Sequence, residues 1–154
     1  MPIERPAEDN SEKRRRTMEL LSKADEAVLD ATWKALTVKP EVSRVRGPET
    51  GLVMLRGRIG GGGSPFNLGE ATVSRATIRL GTGEIGHGQT LGLSRRKAEL
   101  SAIFDALAQR DEYSEQVEML LADIERTLAE HDTERERQTA ATKVDFFTMV
   151  RGED

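Results

Sequence analysis

The amino-acid sequence predicts an α+β fold, and three observations carry that expectation. Apolar residues recur at steps of three or four near the N-terminus and again beyond residue 99; short runs broken by glycines lie between; and two of those runs are joined by a turn of ordinary hairpin length. The expected plan is an N-terminal helix, an antiparallel sheet of about four strands, two C-terminal helices and a terminal apolar extended segment. With 154 residues the chain makes one domain. Residues 1–16 are expected as a solvated arm and 17–154 as the folded unit.

The arm is expected because Pro2 and Pro6 interrupt helix and the residues around them are charged. Asp9 or Ser11 is placed to cap the first helix. Met18, Leu21, Ala24, Val28, Ala31 and Ala35 share one helical face, so an amphipathic helix is expected from about residue 12 to about Leu36, ended by Pro40. VSRVR, LVMLRGRI, EATVSRATIRL and EIGHGQTL read as strands, with GPETG, the glycine run and GTG as turns. GTG makes the last pair antiparallel. In LVMLRGRI, alternation assigns Val53, Leu55 and Ile59 to the core and Leu52, Met54, Arg56 and Arg58 to the other face, which turns from apolar to cationic.

Ser94 is suited to be the N-cap of a helix carrying Leu100, Ile103, Phe104 and Leu107. A second helix, separated by a break near Asp111, carries Val117, Leu120, Leu121, Ile124 and Leu128 and is expected to dissolve into EHDTERERQ, polar on every side. The chain closes on VDFFTMVRGED, where Val144, Phe146 and Val150 alternate with Phe147 and Met149. Both faces of such a segment are apolar. Burial in this chain's own sheet and insertion into a partner satisfy it equally, and with Arg151 these residues form the candidate partner-binding set.

Charge is divided along the chain. Residues 42–98 hold nine basic side chains against three acidic ones, whereas residues 99–136 hold twelve acidic against three basic, so the two parts attract different partners. Cysteine is absent, which excludes disulfides, thiolate metal sites and cysteine nucleophiles. No apolar stretch approaches the roughly 18 residues of a membrane span, and the opening MPIERPAEDNSEKRRR lacks the apolar centre of a signal peptide, so a cytoplasmic protein is expected.

Few constellations carry chemistry. GRIGGGGS, Gly57 to Ser64, nearly matches a phosphate-binding loop, but Gly63 occupies the lysine position and Pro65 comes where a helix should begin, so the mechanism is missing. Arg56, Arg58, Arg75 and Arg79 are candidate oxyanion-binding residues if adjacent strands bring them together; an exposed face or an interface with acidic residues is the simpler reading. Arg95, Arg96 and Lys97 sit where a helix macrodipole disfavours cations, so a bound anion, an acidic partner or plain solvation must answer them. His87 and His131 lie in different elements and no metal site is assigned. Arg14 to Arg16 read as a solvated helix start. None of the six aromatics lies within the basic strands, so a nucleic-acid-binding regulator has no stacking platform. No catalytic residue is assigned.

The segments ETGLVMLRGRIGGGG, FNLGEATVSRATIRL, RRKAEL and above all VDFFTMVRGED resemble the PhnG family, the small subunit of the bacterial carbon–phosphorus lyase core complex, over roughly Val42 to Asp154. That resemblance implies assembly with PhnI, PhnH and PhnJ. With PhnI, the family takes part in displacing adenine from ATP by a phosphonate, which gives the alpha-D-ribose 1-methylphosphonate 5-triphosphate when the substrate is methylphosphonate. PhnJ, a radical S-adenosylmethionine enzyme, later cleaves the carbon–phosphorus bond. The resemblance makes PhnI the seat of nucleosidase chemistry and this chain an accessory that binds no cofactor of its own, with ATP and a phosphonate as substrates of the complex. One departure stands out: the family commonly has Arg-Asp after the glycine before the helix, and Leu93 and Ser94 come after Gly92 here.

Overall fold

A computed structural model describes residues 7–60 and 62–142. Helix α1 runs over Ala7–Lys23 and helix α2 over Glu26–Ala35, so the single N-terminal helix expected from the periodicity is two. Asp25 divides them: its carboxylate accepts from the amide of Ala27 at 3.0 Å and restarts the helix as its N-cap. The segment expected as a solvated arm is already helical from Ala7, which leaves Asp9 and Ser11 inside α1 rather than capping it.

The sheet has three strands rather than four: β1 (Val42–Gly57), β2 (Phe66–Leu80) and β3 (Ile85–Leu91), antiparallel in the order β1-β2-β3. VSRVR and LVMLRGRI are one strand, because GPETG is absorbed as irregularities in the β1–β2 register instead of reversing the chain. Gly47 permits this. Its φ is +70°, and a Cβ there would lie 2.7 Å from the Glu49 amide nitrogen and 2.8 Å from the Arg75 carbonyl. Pro48 is tolerated because β1 is an edge strand. The GTG turn joins β2 and β3 as expected.

Helix α3 (Arg95–Leu107) is the centre of the molecule, and its residues Ala98 to Leu107 are all buried. Ser94 caps it, accepting from the Lys97 amide at 3.1 Å. The helix lies on the face of the sheet formed by Ser74, Ala76, Ile78 and Leu80 of β2 and by Gly86, Gly88 and Thr90 of β3. A Cβ at Gly86 or Gly88 would collide with the backbone carbonyls of Ala102 and Ala98, so the two glycines set the distance at which helix meets strand. After the break, a 3₁₀ turn at Asp111–Tyr113 leads into α4 (Ser114–Ala141), which buries Val117, Leu120, Leu121 and Ile124. The polar stretch expected to dissolve stays helical, with Gln138 donating to Glu134 at 3.1 Å.

Asp105, fully buried, locks this packing. It receives Nε and Nη2 of Arg14 from α1 at 3.1 and 2.8 Å and the backbone amide of His87 from β3 at 2.9 Å. Arg14, expected as part of a solvated start, is therefore a fastener between α1, α3 and β3. Its neighbour Arg16 pairs with Glu125 of α4 at 2.6 Å.

Helical cover ends before the sheet does. β3 reaches only Val73 on β2, so residues 52–57 and 66–72 continue as a two-stranded ribbon with no third strand beside them, about 20 Å long at 3.3 Å per residue. Val53, Leu55 and Ile59, expected in the core, are exposed: Val53 and Leu55 lie on this ribbon and Ile59 lies beyond its strand end. Among the described residues no helix is long and apolar enough to cross a membrane. Gly88→Ala should cost on the order of 3 kcal/mol in urea-melting stability, because the added methyl meets backbone that cannot yield without moving α3.

Candidate functional site

Helices α1 and α3 pack on one face of the sheet, with α2 and α4 against them, and the opposite face of β2 and β3 carries Arg75, Thr77, Arg79, His87 and Gln89 outward. This open face changes character along its length. Over the helices it is cationic and polar. Toward the ribbon it becomes apolar, through Leu91, Val53 and Leu55.

The structure separates the four arginines. Arg75 and Arg79 share the open face of β2, but Arg56 stands opposite Asn67 and Arg58 lies just past the end of β1. Eight residues of strand, about 26 Å, separate the level of Asn67 from Arg75, and twelve, about 40 Å, separate it from Arg79. No single anion spans that. Arg75 is also answered from within the chain. Its Nε donates to Glu49 at 2.7 Å, and Arg46 donates to the same oxygen at 2.8 Å. The hydrogen-bonded Arg75 guanidinium, supported by the charge of Arg46, holds the Glu49 carboxyl below its ordinary range. Arg56, Arg58 and Arg79 form no ion pair among the described residues.

Six of the thirteen exposed large apolar side chains among the described residues lie on the ribbon. Leu52 is 64% exposed, Met54 60% and Leu68 63%, with Leu55 and Phe66 also exposed. Alternation places Leu52 and Met54 on the side continuous with the core and Val53 and Leu55 on the other, so both faces of β1 are apolar here. Leu68 folds over Gly57, where a Cβ would strike it. Single exposed leucines are ordinary, but a contiguous set on both faces of a projecting hairpin marks a surface built to be covered by another molecule. Only Glu70 offsets Arg56 and Arg58 on this ribbon, so its end is cationic.

The remaining candidates sort themselves by geometry. The glycine run connects β1 to β2 and leads into strand, not helix. Of the cations at the start of α3, Arg96 pairs with Asp30 at 2.8 Å and with Glu99, Arg95 donates to the Thr50 hydroxyl at 3.3 Å, and Lys97 feels the fields of Asp25 and Glu26 without an ion pair among the described residues. His87 Nδ1 is 3.1 Å from the Thr77 hydroxyl. Among the described residues no group of three or more His, Asp or Glu side chains is placed to hold a metal ion. Val144, Phe146, Phe147, Met149, Val150 and Arg151 lie outside the described residues. Sequence reasoning missed Asp105, which sits in a helix buried on all sides, although the Gly86-x-Gly88 pair and the small residues Ala98, Ala102 and Ala106 signal a close helix–strand contact.

The family model for the phosphonate metabolism protein PhnG matches residues 12–152. A protein of Rhizobium meliloti (strain 1021), named alpha-D-ribose 1-methylphosphonate 5-triphosphate synthase subunit PhnG, is 59% identical over 141 residues, which cover 92% of this chain and 90% of the relative.

The Glu49 pairing has a measurable sign. Its folded pKa lies below the unfolded value, so the stabilisation is present above the unfolded pKa and is lost as pH falls through the folded one. An NMR titration of the Glu49 side chain should give a midpoint below the ordinary glutamate value, and Arg75→Gln should move it upward.

Proposed function

The chain belongs to the PhnG family of phosphonate metabolism proteins, and from that membership we propose that it is a non-catalytic subunit of the assembly that makes alpha-D-ribose 1-methylphosphonate 5-triphosphate, where a phosphonate displaces adenine from ATP. ATP and the phosphonate are substrates of the assembly, and this chain supplies no cofactor. PhnI is its direct partner, with PhnH and PhnJ as further members of the complex.

The observation that supports the subunit role is the ribbon. A hairpin with Leu52, Met54, Leu55 and Leu68 exposed has little to gain in a lone soluble chain, whereas burying such side chains in a partner stabilises an interface by about 1.5–3 kcal/mol each before ordering costs. Its cationic end suits an acidic rim on the receiving groove. The residues of the terminal VDFFTMVR segment, Val144 to Arg151, remain a second candidate contact on their sequence pattern.

A second reading rests on Arg56 and Arg58, which are free of ion pairs among the described residues and sit at the end of a projecting hairpin. In that reading they reach into the partner and grip phosphate or phosphonate oxygens. Arg75 suits that task poorly, since Glu49 already occupies its guanidinium.

Leu52→Ser combined with Met54→Ser should leave the melting stability of the chain within about 0.5 kcal/mol and lower co-purification with PhnI at least about tenfold. Unchanged assembly removes the ribbon from the interface. Arg56→Ala with Arg58→Ala separates the two readings: weaker assembly assigns the arginines to docking, and intact assembly with lost turnover assigns them to substrate.

A further inference from the structure

The free edge of β3 is closed over only half its length. In an antiparallel ladder, alternate residues turn both backbone groups toward the same neighbour. Ile85 shows which residues of β3 face away from β2: its carbonyl accepts from Arg14 Nη2 at 3.1 Å and from Gln109 Nε2 at 2.9 Å. The His87 amide, given to Asp105, shows the same. By this alternation the His87 carbonyl, both backbone groups of Gln89 and the Leu91 amide point outward too. None of these four makes a hydrogen bond to another described residue.

A groove of about 580 Å³ opens beside this unpaired half. Its other wall is Met18 to Lys23 of α1, apart from Leu20, with Lys97 and Ser101 of α3; Glu19 and Lys23 neutralise one another in an ion pair at 2.7 Å, so an apolar surface and the charge of Lys97 face a bare strand edge. Lys97 forms no ion pair among the described residues. Partial burial pulls its ammonium below the ordinary lysine range, against the opposing fields of Asp25 and Glu26.

We propose that the open half of β3, from His87 to Leu91, receives an extended segment of a partner subunit as a fourth strand, with alternate apolar side chains against Met18 and a carboxylate directed at Lys97. Strand addition satisfies the four outward groups, and the groove beside them selects the side chains. This inference rests on the subunit reading but concerns a surface separate from the ribbon.

The test compares hydrogen exchange of the full chain alone and in the complex co-expressed with PhnI, PhnH and PhnJ. The amides of Gln89 and Leu91, which no described residue receives, should exchange at least about tenfold more slowly in the complex. Gln89→Pro removes an amide that takes no part in the β2–β3 ladder, so its circular dichroism and melting should match wild type while assembly weakens at least about tenfold. Exchange at Gln89 and Leu91 that does not change on assembly, in a complex that does form, overturns the inference and leaves the subunit reading standing. Protection that appears in the chain alone and rises with its concentration assigns the edge to a second copy and overturns the partner assignment. A wild-type chain that joins no complex overturns both.

Discussion

The architecture depends on one close approach, that of α3 to β3. Gly86 and Gly88 remove the side chains that would hold the helix away, and Ala98, Ala102 and Ala106 keep the facing side of the helix small. Contact at that range leaves a polar group deep inside, and Asp105 is satisfied there by a guanidinium from α1 and an amide from β3. A buried carboxylate is stable only when its oxygens are matched in this way. Three elements distant in sequence are therefore fixed to one another by a single side chain, and α2 and α4 fill in around that frame.

Lengths then decide what is left uncovered. A helix of 13 residues spans about 20 Å, whereas β1, at 16 residues, extends for about 50 Å. The helical layer shields the Ile78 and Leu80 end of the sheet and runs out before Leu52 and Met54. Exposure of the ribbon is thus a consequence of the mismatch between strand and helix, and it converts residues with core character into surface.

Much of the plan was legible in the sequence. The hairpin through GTG, the Ser94 cap, the break near Asp111 and the apolar stripes of α3 and α4 arise from local chemistry, which acts over a few residues and leaves its mark there. The errors arise where a non-local fact overrides a local one. GPETG has the composition of a turn, but pairing with β2 on either side carries it through as an irregular stretch of strand. Val53 and Leu55 alternate as core residues do, yet alternation cannot say whether anything lies opposite the apolar face. The arginines of the candidate site are near one another in sequence pairs, and only the register shows that the pairs stand far apart on the sheet. Asp105 was invisible because an acidic residue in a helix reads as surface until its partners, 91 and 18 residues away, are known.

The ribbon sets a condition on how the protein is made. A hairpin apolar on both sides has no orientation that suits water, so every copy waiting for its assembly is a magnet for others like it. In the subunit reading, a cell is served best by producing this chain in step with the molecules that sheathe it. Synthesis from neighbouring messages, or capture while the ribosome is still at work, would shorten the interval in which that surface stands bare.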